Sequence, residues 1–335
     1  MLTHLVVVVL AAAASAAETQ TNSPSRAAVF VSAKESVGDV SEANAAADKA
    51  QVHLTKELGE AGVALADVPT LFPPAGPPAA GAKLVKEGVE AFDNLDTDAA
   101  GVKFREALSF LELNPGAADT KTLAELHVFL GTISMQNGKA GKKKADEELT
   151  RAAVLDPRLE LNPKYFGPDV KKEWDKVLKD VEAKPKNRLT FNSVPAGADV
   201  LFRGKSLGLT PVTNPVSVAP GRHLVSFNHP GFEPSGLLVD VAGDTEAKTE
   251  LKPLAGYAAQ RTKMRDVLPG NFGGKSVPNA AVGVADAMKS RFLVVAEVDV
   301  RGEGKLEVWD TAKGNRLKGV SLVSGSYGAA PFSNG

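Results

Sequence analysis

Apolar positions change period several times along the chain, and each change marks a different kind of element. From Leu5 to Ala17 every residue except Ser15 is apolar, and Ala14-Ser15-Ala16 supplies the small residues a signal peptidase accepts. This run is short of the roughly 20 residues a membrane-spanning helix needs, so residues 1–16 read as a cleaved signal peptide. Ala27 to Ala33 reads as a buried strand. Ser41 can cap a helix running to about Gly59, with Ala43, Ala47, Ala50, Leu54 and Leu58 on one face. Val63 to Val68 reads as a second strand, which makes residues 17–72 a strand-helix-strand segment. Prolines 73, 74, 77 and 78 remove backbone donors and favour extended chain, so residues 73–81 read as a linker.

Over residues 82–182 the period becomes 3.6. Leu84, Val85, Gly88, Ala91 and Phe92 share one face; Asn94 to Asp98 breaks the helix; Ala99, Ala100, Phe104, Ala107, Leu108 and Leu111 resume the pattern. A second pair is expected over Leu123–Met135 and Lys144–Leu155, with a turn from Gly138 to Lys144 between them. A last helix over Asp169–Val181, bearing Val170, Trp174, Val177 and Val181, is expected to cap the stack. Past Lys184-Pro185-Lys186 the alternation is two-residue, and short strands between Gly and Pro turns predict an all-β domain over 188–253. Residues 254–276 read as a linker. A C-terminal α/β segment over 277–327 contains a helix, a buried strand Phe292–Val300 and two further strands, and residues 328–335 read as a tail.

Composition narrows the function classes. Hydrophobic residues make up 43% and charged residues 24%, so the chain can bury ordinary cores. Lys plus Arg (39) nearly balances Asp plus Glu (40), leaving no global field to draw the chain onto nucleic acid. With no cysteine, disulfides, thiolate metal sites and cysteine nucleophiles are all excluded. A soluble exported protein, stable through its cores alone and with no membrane span after signal cleavage, is the expectation.

No catalytic, cofactor or metal site assembles from the motifs. Gly270-Asn271-Phe272-Gly273-Gly274-Lys275-Ser276 is one residue short of a phosphate-binding loop and has no strand leading into it, so it reads as a flexible connector. His223 and His229 lack a marked third ligand and read as surface strand residues, whereas His127 reads as a core or groove residue. Carboxylate clusters such as Asp146-Glu147-Glu148 lie among lysines on helices and read as solvated faces.

Two resemblances add to this reading. Gly88, Ala100, Phe104 and Ala107 stand at the separations of the tetratricopeptide repeat, and Leu130-Gly131, Ala145, Leu149, Ala152 and Pro157 follow if two extra residues are allowed in the turn, so the helical region resembles that repeat. Pro195-Ala196-Gly197-Ala198, Gly204-Lys205, Leu207-Gly208, Thr210-Pro211, Pro220-Gly221-Arg222-His223, Pro230-Gly231-Phe232-Glu233-Pro234 and Ala242-Gly243-Asp244 resemble the PEGA family in order and spacing, with Ala196 in place of the signature Glu. That resemblance implies a small β-sandwich of envelope proteins with no catalytic residues. The stretch from Phe292 to Leu317, with Asp310 and Gly314 at a turn, is loosely similar to the end of TolB-like or CsgG-like modules, which implies that the two termini can form one sheet.

The expected fold is therefore multidomain α+β: a TPR-like helical region, then a PEGA-type β-sandwich, with terminal α/β segments around them. The expected function is that of an exported envelope scaffold or adaptor, non-enzymatic, binding an envelope protein through a TPR-like groove formed by Leu84, Glu87, Ala91, His127, Leu130 and Ser134. Cell-wall glycan is a further expected partner for the β-domain. The alternatives are an envelope enzyme acting on cell-wall glycan, with Asp286 paired to Asp299 or Asp310, and an obligate accessory subunit of a secretion, motility or cell-wall machine.

Overall fold

The computed structural model describes residues 26–34, 40–73, 79–317 and 320–322; the signal peptide, the prolines from 74 to 78 and the C-terminal tail expected from the sequence lie outside the described residues. Strand β1 (Ala27–Ala33) leads to helix α1 (Val40–Glu60). The expected second strand over 63–68 is reduced to a single parallel bridge between Leu65 and Ala27. Asp67 ends it: its carboxylate accepts from Thr70 N–H and caps the short helix α2 (Val68–Leu71), and Pro69 has no N–H to give a sheet.

Five helices follow: α3 (Ala79–Asp93), α4 (Thr97–Leu113), α5 (Thr120–Gln136), α6 (Gly138–Leu155) and α7 (Pro168–Glu182), with a 3-10 turn at Pro115–Ala117. Asp96 and Asp119 cap α4 and α5 by accepting from the amides of Ala99 and Thr122 at 3.0 and 2.8 Å. Gly88 lets α3 lie on the Phe104 ring of α4, where a Cβ would come within 2.6 Å of it. Phe104 in turn stacks on Phe129 of α5 at 4.5 Å between centroids. The turn expected from Gly138 to Lys144 is shorter: Asn137 ends α5, Gly138 at φ 58° reverses the chain, and α6 starts there. Gly141 explains the early start, since with no side chain it rests directly against the Ser134 carbonyl of α5.

Seven strands form two sheets. In chain order they are β2 (Asn187–Val194), β3 (Asp199–Phe202), β4 (Lys205–Leu209), β5 (Val216–Val218), β6 (Gly221–Asn228), β7 (Ser235–Val241) and β8 (Thr245–Glu250). One sheet has the order β5-β2-β8, the other β4-β3-β6-β7. Leu189, Phe191 and Ala247 from the first and Val200, Phe202, Val225 and Phe227 from the second bury one common core. On β6 the alternation serves two cores. Val225 and Phe227 face inward, whereas Leu224 joins the apolar cluster of the helices.

Residues 254–276 are not a linker. Tyr257, Met264 and Leu268 recur near the helical period and are buried, and helix α8 (Ala255–Val267) forms there. The glycine-rich stretch after it is held in place: Gly273 N–H donates to Glu307 Oε1 at 2.6 Å, and Arg316 donates to the carbonyls of Asn271 and Ser276. Helix α9 (Asn279–Ala287) and strands β9 (Phe292–Val298), β10 (Gly304–Asp310), β11 (Asn315–Arg316) and β12 (Val320–Leu322) complete the described chain.

The two ends meet in one sheet, where β1 pairs in parallel with β9 along its whole length and β10 is antiparallel to β9. Apart from Ser32 and Glu297 both strands are apolar, because both faces of the sheet are covered. Val29, Val31, Val294 and Ala296 meet Ala47, Leu54 and Leu58 of α1, whereas Phe30, Leu293 and Val295 meet Tyr257, Met264 and Val284 of α8 and α9. Among the described residues no helix is long and apolar enough to cross a membrane.

Candidate functional site

The seven-stranded region touches both of its neighbours through glycines. On the helical side, Gly236 of β7 lies on the Pro115 carbonyl, Gly116 lies on the Pro234 carbonyl, and a Cβ on Gly221 would come within 2.9 Å of Val154. On the other side, Gly231 lies on the Tyr257 ring of α8, and a Cβ on Gly197 would stand 3.2 Å from Lys49 of α1. Alongside, the Asp48–Arg261 ion pair ties α1 to α8, and Gln51 Nε2 donates to the Tyr257 hydroxyl at 2.6 Å.

Arg203 fastens the helical side. Its guanidinium donates to the carbonyls of Leu155 and Val154 at 3.1 and 2.9 Å, the last residues of α6, where the helix leaves carbonyls unpaired and carries partial negative charge. Arg158 returns the contact by donating to the Arg203 carbonyl at 2.9 Å. We expect Arg203→Ala to cost about 2 kcal/mol, as charge-assisted hydrogen bonds of this kind do. Urea denaturation of the full chain checks it, and a loss below about 0.5 kcal/mol would mean that the contact carries no weight.

Beside this contact lies a cleft of about 550 Å³, shared by α4, α5, α6 and the β6–β7 hairpin. Leu108, Leu123, Val154, Leu155 and Leu238 give it an apolar floor. One wall is a charge triad in which Arg222 donates to Asp240 at 3.1 Å and to Glu112 of α4 at 3.3 Å, joining hairpin to helix. Another wall holds Arg151, Thr150 and His127, with Lys184 also lining the cleft. His127 Nδ1 lies 2.7 Å from Glu148 Oε2, and Arg151 donates to Glu148 Oε1 at 3.1 Å. Burial pushes the Glu148 carboxyl up, but the His127 hydrogen bond and the charges of His127, Arg151 and Lys144 outweigh it and hold the group below the usual range. An ionised carboxylate only accepts, so His127 carries its proton on Nδ1.

The six positions expected to line one groove are not gathered in one. Leu84 and Ala91 are half-buried against the helical core, and Glu87 pairs with Lys103 of α4 at 3.2 Å. His127, Leu130 and Ser134 are 5%, 4% and 6% exposed because α6 seals that face of α5. Leu130 and Ser134 border a separate hollow with Arg105 and Lys144, and only His127 reaches the cleft. His223 and His229 are buried, not surface residues: His223 Nε2–H donates to the Ala219 carbonyl at 2.8 Å, and His229 packs edge-on against Phe232. Asp310 is buried in a bidentate pair with Arg291, and Asp299 accepts from the amides of its own turn, so each of these two carboxylates is occupied locally.

Sequence reasoning missed Glu112, Arg222, Asp240 and Arg203. Pro220-Gly221-Arg222-His223 was visible as a turn, but nothing local says that its arginine reaches back across 110 residues to Glu112. Among the described residues no group of three or more His, Cys, Asp or Glu could hold a metal ion.

Compared with known families, residues 187–254 match the PEGA domain. No curated protein and no solved structure matches the chain.

Proposed function

We propose, from a chain whose residues 187–254 are a PEGA domain, that this protein is an exported scaffold of the cell envelope which holds a protein partner and performs no chemistry on it. In this reading the helices from 79 to 182 are a TPR-like unit, residues 187–254 are a β-sandwich, and the sandwich is a keystone between the helices and the terminal α/β sheet. The observation that carries the reading is the glycine-mediated docking of the PEGA domain on both sides. A linker-tethered module would leave both faces solvated, whereas this one contributes Leu224 and Ala219 to the helical core. The charges around the junction support holding over turnover, because Arg222 bridges Glu112 and Asp240 and Arg151 pairs with Glu148, so these groups are held in ion pairs and not poised as an acid and a base.

A photo-crosslinking amino acid placed at Glu87 or Thr150 in cells, with Lys205 as control, is expected to capture an envelope protein that the control does not. Equal labelling at all three positions would count against the scaffold. The His127–Glu148 pair is the one observation favouring an envelope enzyme acting on glycan. Release of soluble fragments from purified cell wall by the wild-type chain, and not by His127→Ala, would establish that alternative. Retention of the chain on the same insoluble wall without release would instead add glycan as a second partner.

A further inference from the structure

We infer that the cleft between the helices and the PEGA domain binds a small zwitterion with an aliphatic body, a short peptide with both termini free. Its volume, about 550 Å³, lies within the range of small-ligand cavities, and its floor of five aliphatic side chains would bury apolar side chains of that size. What remains after the internal ion pairs are counted sets the charge of the ligand. On the hairpin wall two carboxylates, Glu112 and Asp240, share the single guanidinium of Arg222, leaving negative charge in excess. Lys184 lines the same cleft and makes no ion pair among the described residues, and Arg151 pairs there with the carboxylate that it shares with His127. A simple anion would meet the carboxylate excess, and a simple cation would meet Lys184. A molecule carrying both charges, apart, satisfies both and covers the leucines between them. The Thr150 and His127 side chains also line the cleft and are of types that can hydrogen-bond peptide groups.

Isothermal titration of the full chain with the tripeptide Leu-Ala-Leu tests this. The free tripeptide is expected to bind with a Kd below about 1 mM, and acetylating the amino end or amidating the carboxyl end is expected to weaken it about tenfold each. Lys184→Ala should weaken the free tripeptide about tenfold yet leave the amidated form unchanged; Glu112→Gln should do the same for the amino end, read against the acetylated form. Both side chains are partly exposed, and unchanged thermal melts of the two variants will show that the fold is intact. No binding of any tripeptide, equal binding of the capped forms, or equally tight binding of decanoate would overturn the inference. The photo-crosslinking experiment reads the scaffold separately, so a captured partner with no peptide binding would remove this ligand alone.

Discussion

Replacing Gly236 with alanine is expected to destabilise the protein by about 3 kcal/mol or more, whereas the same change at Gly243, in the same domain, leaves stability within about 0.5 kcal/mol. A Cβ at Gly236 would overlap the Pro115 carbonyl and stand 2.8 Å from the Gly116 nitrogen, all of it backbone, so no rotamer change can relieve it. Gly236 has no positive φ, which leaves contact with the helical region as the cause. A Cβ on Gly243 would meet no described residue within 4 Å beyond its own chain neighbours. Urea midpoints of the two variants make the comparison. Equal, small losses would mean that the hairpin does not rest on the 3-10 turn.

The second large effect is acid instability centred on His223. The ring is fully buried beside Phe202, one nitrogen bonded to the Ala219 carbonyl and the other without a partner among the described residues. Burial is the main reason its pKa falls from 6.5 to about 4, with the Arg203 charge adding to the fall. The unfolded chain therefore binds a proton that the folded chain refuses between these two values, so stability rises with pH across that window. Lowering the pH from 7 to below 4 should remove about 3 kcal/mol through this residue alone. His229, also held low mainly by burial, pulls in the same direction. Urea denaturation at pH 7 and pH 4 should show the slope, and His223→Leu should flatten it. An unchanged slope in that variant would show that other groups govern the acid transition.

Much of the architecture was legible because it is written locally. The break at Asn94 to Asp98 and the glycine turns of the β-domain could be read because breaks and left-handed turns depend on adjacent residues. The mostly apolar runs at 27–33 and 292–298 carried the marks of buried strands, yet their pairing spans most of the chain. What escaped was set by distant neighbours. Helix α8 hid behind Arg261, a charge on its inward face that pairs with Asp48 of α1. The candidate groove failed on α5 because Gly141, read as part of a turn, instead draws α6 over Leu130 and Ser134. The junction cleft was invisible since its walls come from 108–112, 123–127, 150–155, 184 and 220–240.

Docking of the PEGA domain against the helices is the claim on which the scaffold, the cleft and its ligand all stand. Because the chain has no cysteine, it can be tested with one introduced pair. Glu112→Cys combined with Arg222→Cys places two thiols at positions whose native side chains lie 3.3 Å apart across the junction. Treated with a short bismaleimide at low protein concentration, the double variant should be bridged nearly completely within single chains. Two separate modifications on most molecules, with no bridge, would contradict the docked arrangement.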